Sequence, residues 1–410
     1  MQIRIVDSLA ILLVFCIVFR GTLGVVGGVI GENLAFAVLY SSFLVLLIKR
    51  IRISKDNVFH YLFVLYCALI ALIYPVFGWY GNYFTAFIGF SNLAAPILFW
   101  LMLKQCSIDT KKVIFGIWVI LLINAIGALL QYFISSSVFG LVHHNVYSES
   151  EILEQGHVLK RAISFISSPQ SLSIAMGVGV SITLYLYRGW KSFLLTAVFF
   201  IAGVLTISKA FYIYILVSLT WYFRARIRSL FFFIPLVLFL FLFSGDNEFL
   251  SRITKVFFYI QNIKEYSAFN IWVTSFSYVF DDFGYFFGRG IGVFSRGSQL
   301  MLDYQINTSA ASALTTGSTE SFIIQIIVEL GFIGALLWLI TFISSIRGID
   351  ESKGSRNALI SGILLSIFSV SFFTPALYGF VISVLFSFFL VNCNDLNLHN
   401  NLEKFDRGFL

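Results

Sequence analysis

Continuous apolar runs long enough to cross about 30 Å of hydrocarbon recur along the chain. They fall near residues 7–26, 29–48, 58–77, 83–103, 113–134, 166–187, 191–207, 210–223, 229–244, 320–343, 357–373 and 376–392. Within each run the apolar residues are unbroken and do not alternate with polar ones, which predicts membrane helices and not the strands of a barrel. The runs at 191–207 and 210–223 are short and are divided only by Thr206-Ile207-Ser208-Lys209. Most polar intervals are brief, as in an antiparallel bundle. Two are long: residues 135–165, and residues 245–319 between the ninth and tenth runs. The expected fold is an all-α polytopic membrane protein, a single domain over residues 1–410. It has about twelve transmembrane helices and a large loop at 245–319 carrying surface-lying amphipathic helices.

Composition agrees, with 59% hydrophobic and 11% charged residues and a mean hydropathy of +0.91. A soluble globule is excluded at that polarity. Most of the 27 Lys and Arg fall in alternate intervals, among them Lys49, Arg50, Lys111, Lys112, Arg224, Arg226 and Arg228. The positive-inside rule then places both termini in the cytoplasm and both long loops outside. Arg4 followed by an apolar run has the form of a signal sequence, but no small-x-small cleavage site follows, so this run is a retained first helix. The net charge of +7 thus reports topology and does not call for nucleic acid. Cys16 and Cys67 lie in apolar runs, and Cys106 and Cys393 on the inner side, so no exported disulfide is expected. No His/Cys spacing suits a metal, and no cofactor is implied.

The loop at 135–165 contains His143, His144, Glu149, Glu151, Glu154, His157, Lys160 and Arg161. Its histidines read as solvated loop residues, with proton shuttling as the alternative. The loop at 245–319 is rich in aromatics, including Phe257, Tyr266, Trp272, Phe280 and Phe286. Residues 253–278 fit one or two amphipathic helices on the membrane surface, forming an interfacial aromatic belt or a platform on which sugar rings stack. No internal repeat or separable soluble domain is visible.

Nine cations stand on the side that the charge rule disfavours, and four of them lie near helix ends or between glycines: Lys160, Arg161, Lys209 and Arg289. A lipid headgroup or snorkelling accounts for each singly; a pyrophosphate accounts for the set, since Arg forks match its oxygens. Ser167-Ser168-Pro169-Gln170 fits a helix start or a kink, with hydroxyls available to cap freed backbone groups. Gly288-Arg289-Gly290-Ile291-Gly292 has dinucleotide-loop spacing but no βαβ unit around it; the glycines permit a sharp turn or close backbone approach. Glu320, at the mouth of an apolar run, is either an N-terminal carboxylate favoured by the helix dipole or a general base. Glu329, nine residues deeper, reads as the partner of a buried polar group.

Several of these signals occur in the order found in one family. Arg161-Ala-Ile-Ser-Phe-Ile-Ser-Ser-Pro169-Gln170, Thr206-Ile-Ser208-Lys209, Phe287-Gly-Arg289-Gly-Ile-Gly292 and Glu320-Ser-Phe, followed by Gly331 and Gly334, resemble the motifs of the O-antigen polymerases and ligases. The resemblance spans residues 113–345. Ligases typically carry His-Asn where this chain has Glu320-Ser321, which favours the polymerases. Lys209 stands where the family usually has Arg, and Phe269 and Asn270 where relatives place an Arg before the tryptophan matching Trp272.

The resemblance implies an enzyme of the bacterial inner membrane. It would polymerise undecaprenyl-pyrophosphate-linked repeat units into O-antigen on the periplasmic face. Glu320 would be the catalytic base, and Arg161, Lys209 and Arg289 would bind pyrophosphate, with Lys160, Arg252, Lys255 and His157 as auxiliaries. Partners would be membrane lipids, a chain-length-regulating co-polymerase and the flippase of the same pathway. The alternatives are a ligase moving polymer onto lipid A-core, and a flippase, which should hold cations at midplane depth; here the interiors of the apolar runs are nearly free of Lys and Arg.

Overall fold

The computed structural model describes residues 5–47, 57–77, 83–134, 151–154, 157–166, 168–223, 272–273, 284–293, 321–347, 355–375, 377 and 379–398. The helices are α1 (Ile5–Val18), α2 (Arg20–Leu47), α3 (Val58–Phe77), α4 (Tyr83–Leu93), α5 (Ala95–Gln105) and α6 (Thr110–Phe133). After a hairpin of β1 (Glu151–Glu154) and β2 (His157–Lys160) come α7 (Pro169–Leu186), α8 (Gly189–Val204), α9 (Lys209–Phe223) and the short α10 (Gly284–Phe287). The chain closes with α11 (Phe322–Arg347), α12 (Ser355–Val370) and α13 (Phe380–Leu398). By length and composition, four helices among the described residues can cross a membrane (α3, α6, α7 and α11), or six if each of two bent pairs is one span. The expected run at 229–244 and most of the loop at 245–319 lie outside the described residues.

The sequence expectation differs from the structure in three places. The runs at 7–26 and 29–48 divide at Gly28 as expected, where α2 is broken at φ 56°, a conformation only glycine takes cheaply. A second, larger bend is not expected: α1 ends at Val18 and the chain turns by 91° into residues 20–31, inside a run of uniform apolar content. The run at 83–103 is bent by 48° between α4 and α5. Pro96 in the first turn of α5 has no N–H for the carbonyl of Asn92, and the Ser383 hydroxyl of α13 donates to that carbonyl instead. The third difference is the hairpin, which makes the described fold not purely helical. Its antiparallel register sets Glu151 against Lys160, Ile152 against Leu159, Leu153 against Val158 and Glu154 against His157. Two short strands this close in sequence suit a local hairpin.

Interhelical packing is close because small residues face aromatics. Gly177 lies against Tyr214, Gly179 against Phe199 and Gly203 against Phe211, which brings α7, α8 and α9 together. Hydroxyls and indoles tie α7 and α9 to each other and to α6 and α12: Trp118 Nε1 donates to Thr183 Oγ1 at 2.9 Å, Ser181 pairs with Ser218 at 3.1 Å, and Trp221 Nε1 donates to Ser361 Oγ at 2.7 Å. Trp100 Nε1 donates to the Val384 carbonyl at 2.9 Å, joining α5 to α13.

Polar contacts at helix ends sort into two groups. At one end, Asp7 Oδ1 accepts from the Asp109 N–H at 2.9 Å, Lys104 Nζ donates to the Val391 carbonyl at 3.0 Å, and His60 pairs with Ser345 at 3.0 Å. These join the start of α1 to that of α6, the end of α5 to the C-terminal half of α13, and the start of α3 to the end of α11. The opposite end gathers the end of α6, the start of α7, the α8–α9 turn, the start of α11 and the end of α12. Ser383→Ala should cost about 1 kcal/mol by orphaning the Asn92 carbonyl, and should lower the thermal midpoint of the purified protein. Adding Pro96→Ala should recover part of that loss, because any residue other than proline restores a backbone donor there.

Candidate functional site

Arg161 follows the hairpin directly and crosses to the turn between α8 and α9. Its Nε donates to the Thr206 carbonyl at 2.9 Å and its Nη2 to the Ile207 carbonyl at 3.3 Å. The neighbouring Ala162 N–H donates to the Leu205 carbonyl at 3.0 Å. Ile207 has φ 50°, a left-handed conformation costing an L-residue about 1–2 kcal/mol and rare for a β-branched side chain. The guanidinium clamps this strained turn. Lys209 opens α9 two residues later and is exposed, so the structure brings Arg161 and Lys209 to one turn.

The segment bearing Arg161 is itself pinned. Gln131 Oε1 near the end of α6 accepts from the N–H groups of Ile163 at 3.0 Å and Ser164 at 2.8 Å. Ser164 Oγ donates to the Asn124 carbonyl at 2.8 Å. Gly127 has no side chain where Ser164 and Phe165 pass. Ser168 then caps α7, accepting from the Ser171 N–H at 3.4 Å with Pro169 in the first turn, so of the two sequence readings this is a helix start and not a kink.

A polar rim leads from this turn to the start of α11. Ser173 Oγ donates to Ser208 Oγ at 3.3 Å, and Thr374 Oγ1 donates to Gln170 Oε1 at 3.2 Å. At the end of α12, the Ser371 carbonyl accepts from the Phe322 N–H at 2.9 Å and from Ser321 Oγ at 3.4 Å. Ser321 directly follows Glu320. Beside the rim, Ile323, Ile326 and Ile327 of α11 face Phe368 and Phe372 across an apolar groove of about 340 Å³, which continues along α11 past Trp338. Trp338 stacks on Phe342, Phe368 and Phe386, giving the groove a rigid floor.

Arg289 is placed elsewhere. Residues 288–292 form a strap pressed onto α11 about two turns from Ser321. Arg289 is 5% exposed. The Arg289 and Gly290 N–H groups donate to the Val328 and Glu329 carbonyls at 2.8 and 3.0 Å, and Tyr74 donates to the Gly288 carbonyl at 2.7 Å. Glu329 is fully buried; its Oε2 accepts from the Gly292 N–H at 2.8 Å and its Oε1 from Gln325 at 3.3 Å. The reading of Glu329 as a buried polar partner therefore holds. The glycines permit close approach, but to helices: a Cβ on Gly89 or Gly292 would overlap the strap or the Thr85 carbonyl.

His157 and Lys160 lie on β2, the latter next to Arg161. Glu320, Arg252 and Lys255 fall outside the described residues. Sequence reasoning missed Gln131, Asn124, Ser371 and Thr374. Each is an ordinary polar residue in an apolar helix or at its end, and only its partner reveals its use.

No protein-family model matches the chain, and no curated protein sequence matches it. Gln131→Leu should strand two buried N–H donors, costing about 2 kcal/mol. The expected outcome is a lower melting midpoint and faster proteolysis within residues 157–166; an unchanged midpoint would show that the 161–166 segment is held without Gln131.

Proposed function

We propose that this protein is a glycosyltransferase of the bacterial inner membrane that polymerises undecaprenyl-pyrophosphate-linked repeat units into O-antigen at its outer face. The observation that carries the proposal is the hydrogen-bonded rim joining the Arg161–Lys209 turn to Ser321, the neighbour of Glu320. An anionic headgroup lying on that rim meets a guanidinium, an ammonium and the start of α9, all of which favour negative charge. The apolar groove of α11 and α12 opens beside the rim and suits a polyprenyl tail.

In this reading Glu320 takes the proton from the acceptor sugar's hydroxyl as that oxygen attacks the anomeric carbon of the growing chain. The anomeric C–O bond to pyrophosphate breaks, and Arg161 and Lys209 stabilise the charge gathering on the leaving undecaprenyl pyrophosphate. Arg289, buried in the strap on α11, lies apart from this rim and takes no part in the step. The acid at 320, where ligases typically carry His, supports polymerisation over ligation. Termini in the cytoplasm and the rim in the periplasm follow from the distribution of Lys and Arg.

Deleting the gene should leave lipopolysaccharide with core bearing a single repeat unit on gels; bare core with accumulated lipid-linked polymer would identify a ligase instead. In complementation, Glu320→Gln and Arg161→Ala should each cut polymer at least about a hundredfold at normal protein levels. Lys209→Arg should retain most of it and Lys209→Ala should not. Full ladders from both Glu320→Gln and Arg161→Ala would remove the catalytic assignment.

A further inference from the structure

The strap and the break in α11 occupy each other's bonding positions. At Gly331 the backbone leaves the helical path, with φ 68° and ψ −174°. The last carbonyls before such a break lose their helical donors, and in hydrocarbon they need replacements. Three receive them from outside the helix. The Val328 carbonyl takes the Arg289 N–H and the Glu329 carbonyl the Gly290 N–H, while the Leu330 carbonyl takes the Tyr66 hydroxyl at 2.7 Å. In an unbroken helix the same carbonyls would accept from the N–H groups of residues 332, 333 and 334. Strap docking and helix continuity therefore compete for one set of acceptors. They also compete for space, because a Cβ on Gly331 would overlap the Phe286 carbonyl and one on Gly288 would overlap the Glu329 backbone.

We propose that the strap and the Gly331 break form a two-state latch: strap docked with α11 broken, or strap released with α11 continuous. The Glu329 carboxylate biases the docked state by accepting the Gly292 N–H in the protein interior. Docking holds Arg289 buried, and release frees it while changing the course of the helix whose outer end follows Glu320. The latch thereby regulates the proposed polymerisation site, a consequence that rests on that functional reading; the latch itself does not.

The test needs no activity. In full-length protein with its four native cysteines replaced, Val293→Cys, at a buried position directly after the strap, reports docking through labelling by a membrane-impermeant maleimide. Spin labels at Ile323→Cys and Leu339→Cys report the shape of α11. Gly331→Ala should raise the labelling rate about tenfold and move the spin–spin distance toward the roughly 24 Å of a continuous 16-residue rise. Tyr66→Phe, which removes one hydroxyl, should raise labelling a few-fold and shift the same distance in the same direction. Unchanged labelling in both variants, or labelling that rises while the α11 distance stays fixed, overturns the latch. An unaltered lipopolysaccharide ladder in the deletion strain, alongside an intact latch response, would overturn the function alone.

Discussion

A backbone carbonyl inside a membrane has no water to turn to, and this fold is organised around the places where helices stop supplying donors. The Pro96 break is answered by Ser383. The Gly331 break is answered by two strap amides and Tyr66. The turn at Thr206 and Ile207 is answered by Arg161. Each repair comes from a distant part of the chain, so each break is also a tertiary tie.

The candidate site grows out of one of these repairs. Arg161 stabilises a strained turn and, by doing so, is held beside Lys209 at the start of α9. Gln131 and Asn124 fix the segment carrying it, and Ser208, Ser173, Gln170, Thr374, Ser371 and Ser321 carry the polar surface across to α11. A guanidinium held by packing and two carbonyls loses little further entropy on meeting an anion, which is the physical value of preorganisation. The apolar groove beside the rim gives this end of the bundle both properties that a lipid with a charged head requires.

Much of this was legible in the residues. Long apolar runs marked α3, α6, α7 and α11, and Ser168-Pro169 marked the start of α7. The glycines of residues 288–292 signalled a close approach. Their partner was not legible: Gly89, Thr85 and Gly331 lie far off along the chain, and nothing local distinguishes them. The bends at Phe19 and Ala94 were hidden because hydropathy averages over a break that costs no apolar surface. The hairpin was hidden because its charged residues resemble those of a solvated loop.

By itself the sequence determined that this is a helical membrane protein, where most helices lie, and which cations stand apart from the main clusters of Lys and Arg. Those properties follow from transfer free energy and charge, which each residue carries wherever it is placed. Tertiary structure alone decided that Arg161 meets the 206–207 turn, that Arg289 is clamped onto α11 apart from it, and that Ser321 connects to Gln170 through the end of α12. Those outcomes depend on which orphaned donor finds which orphaned acceptor, and hydrogen bonds of that kind are chosen by the packing of whole helices.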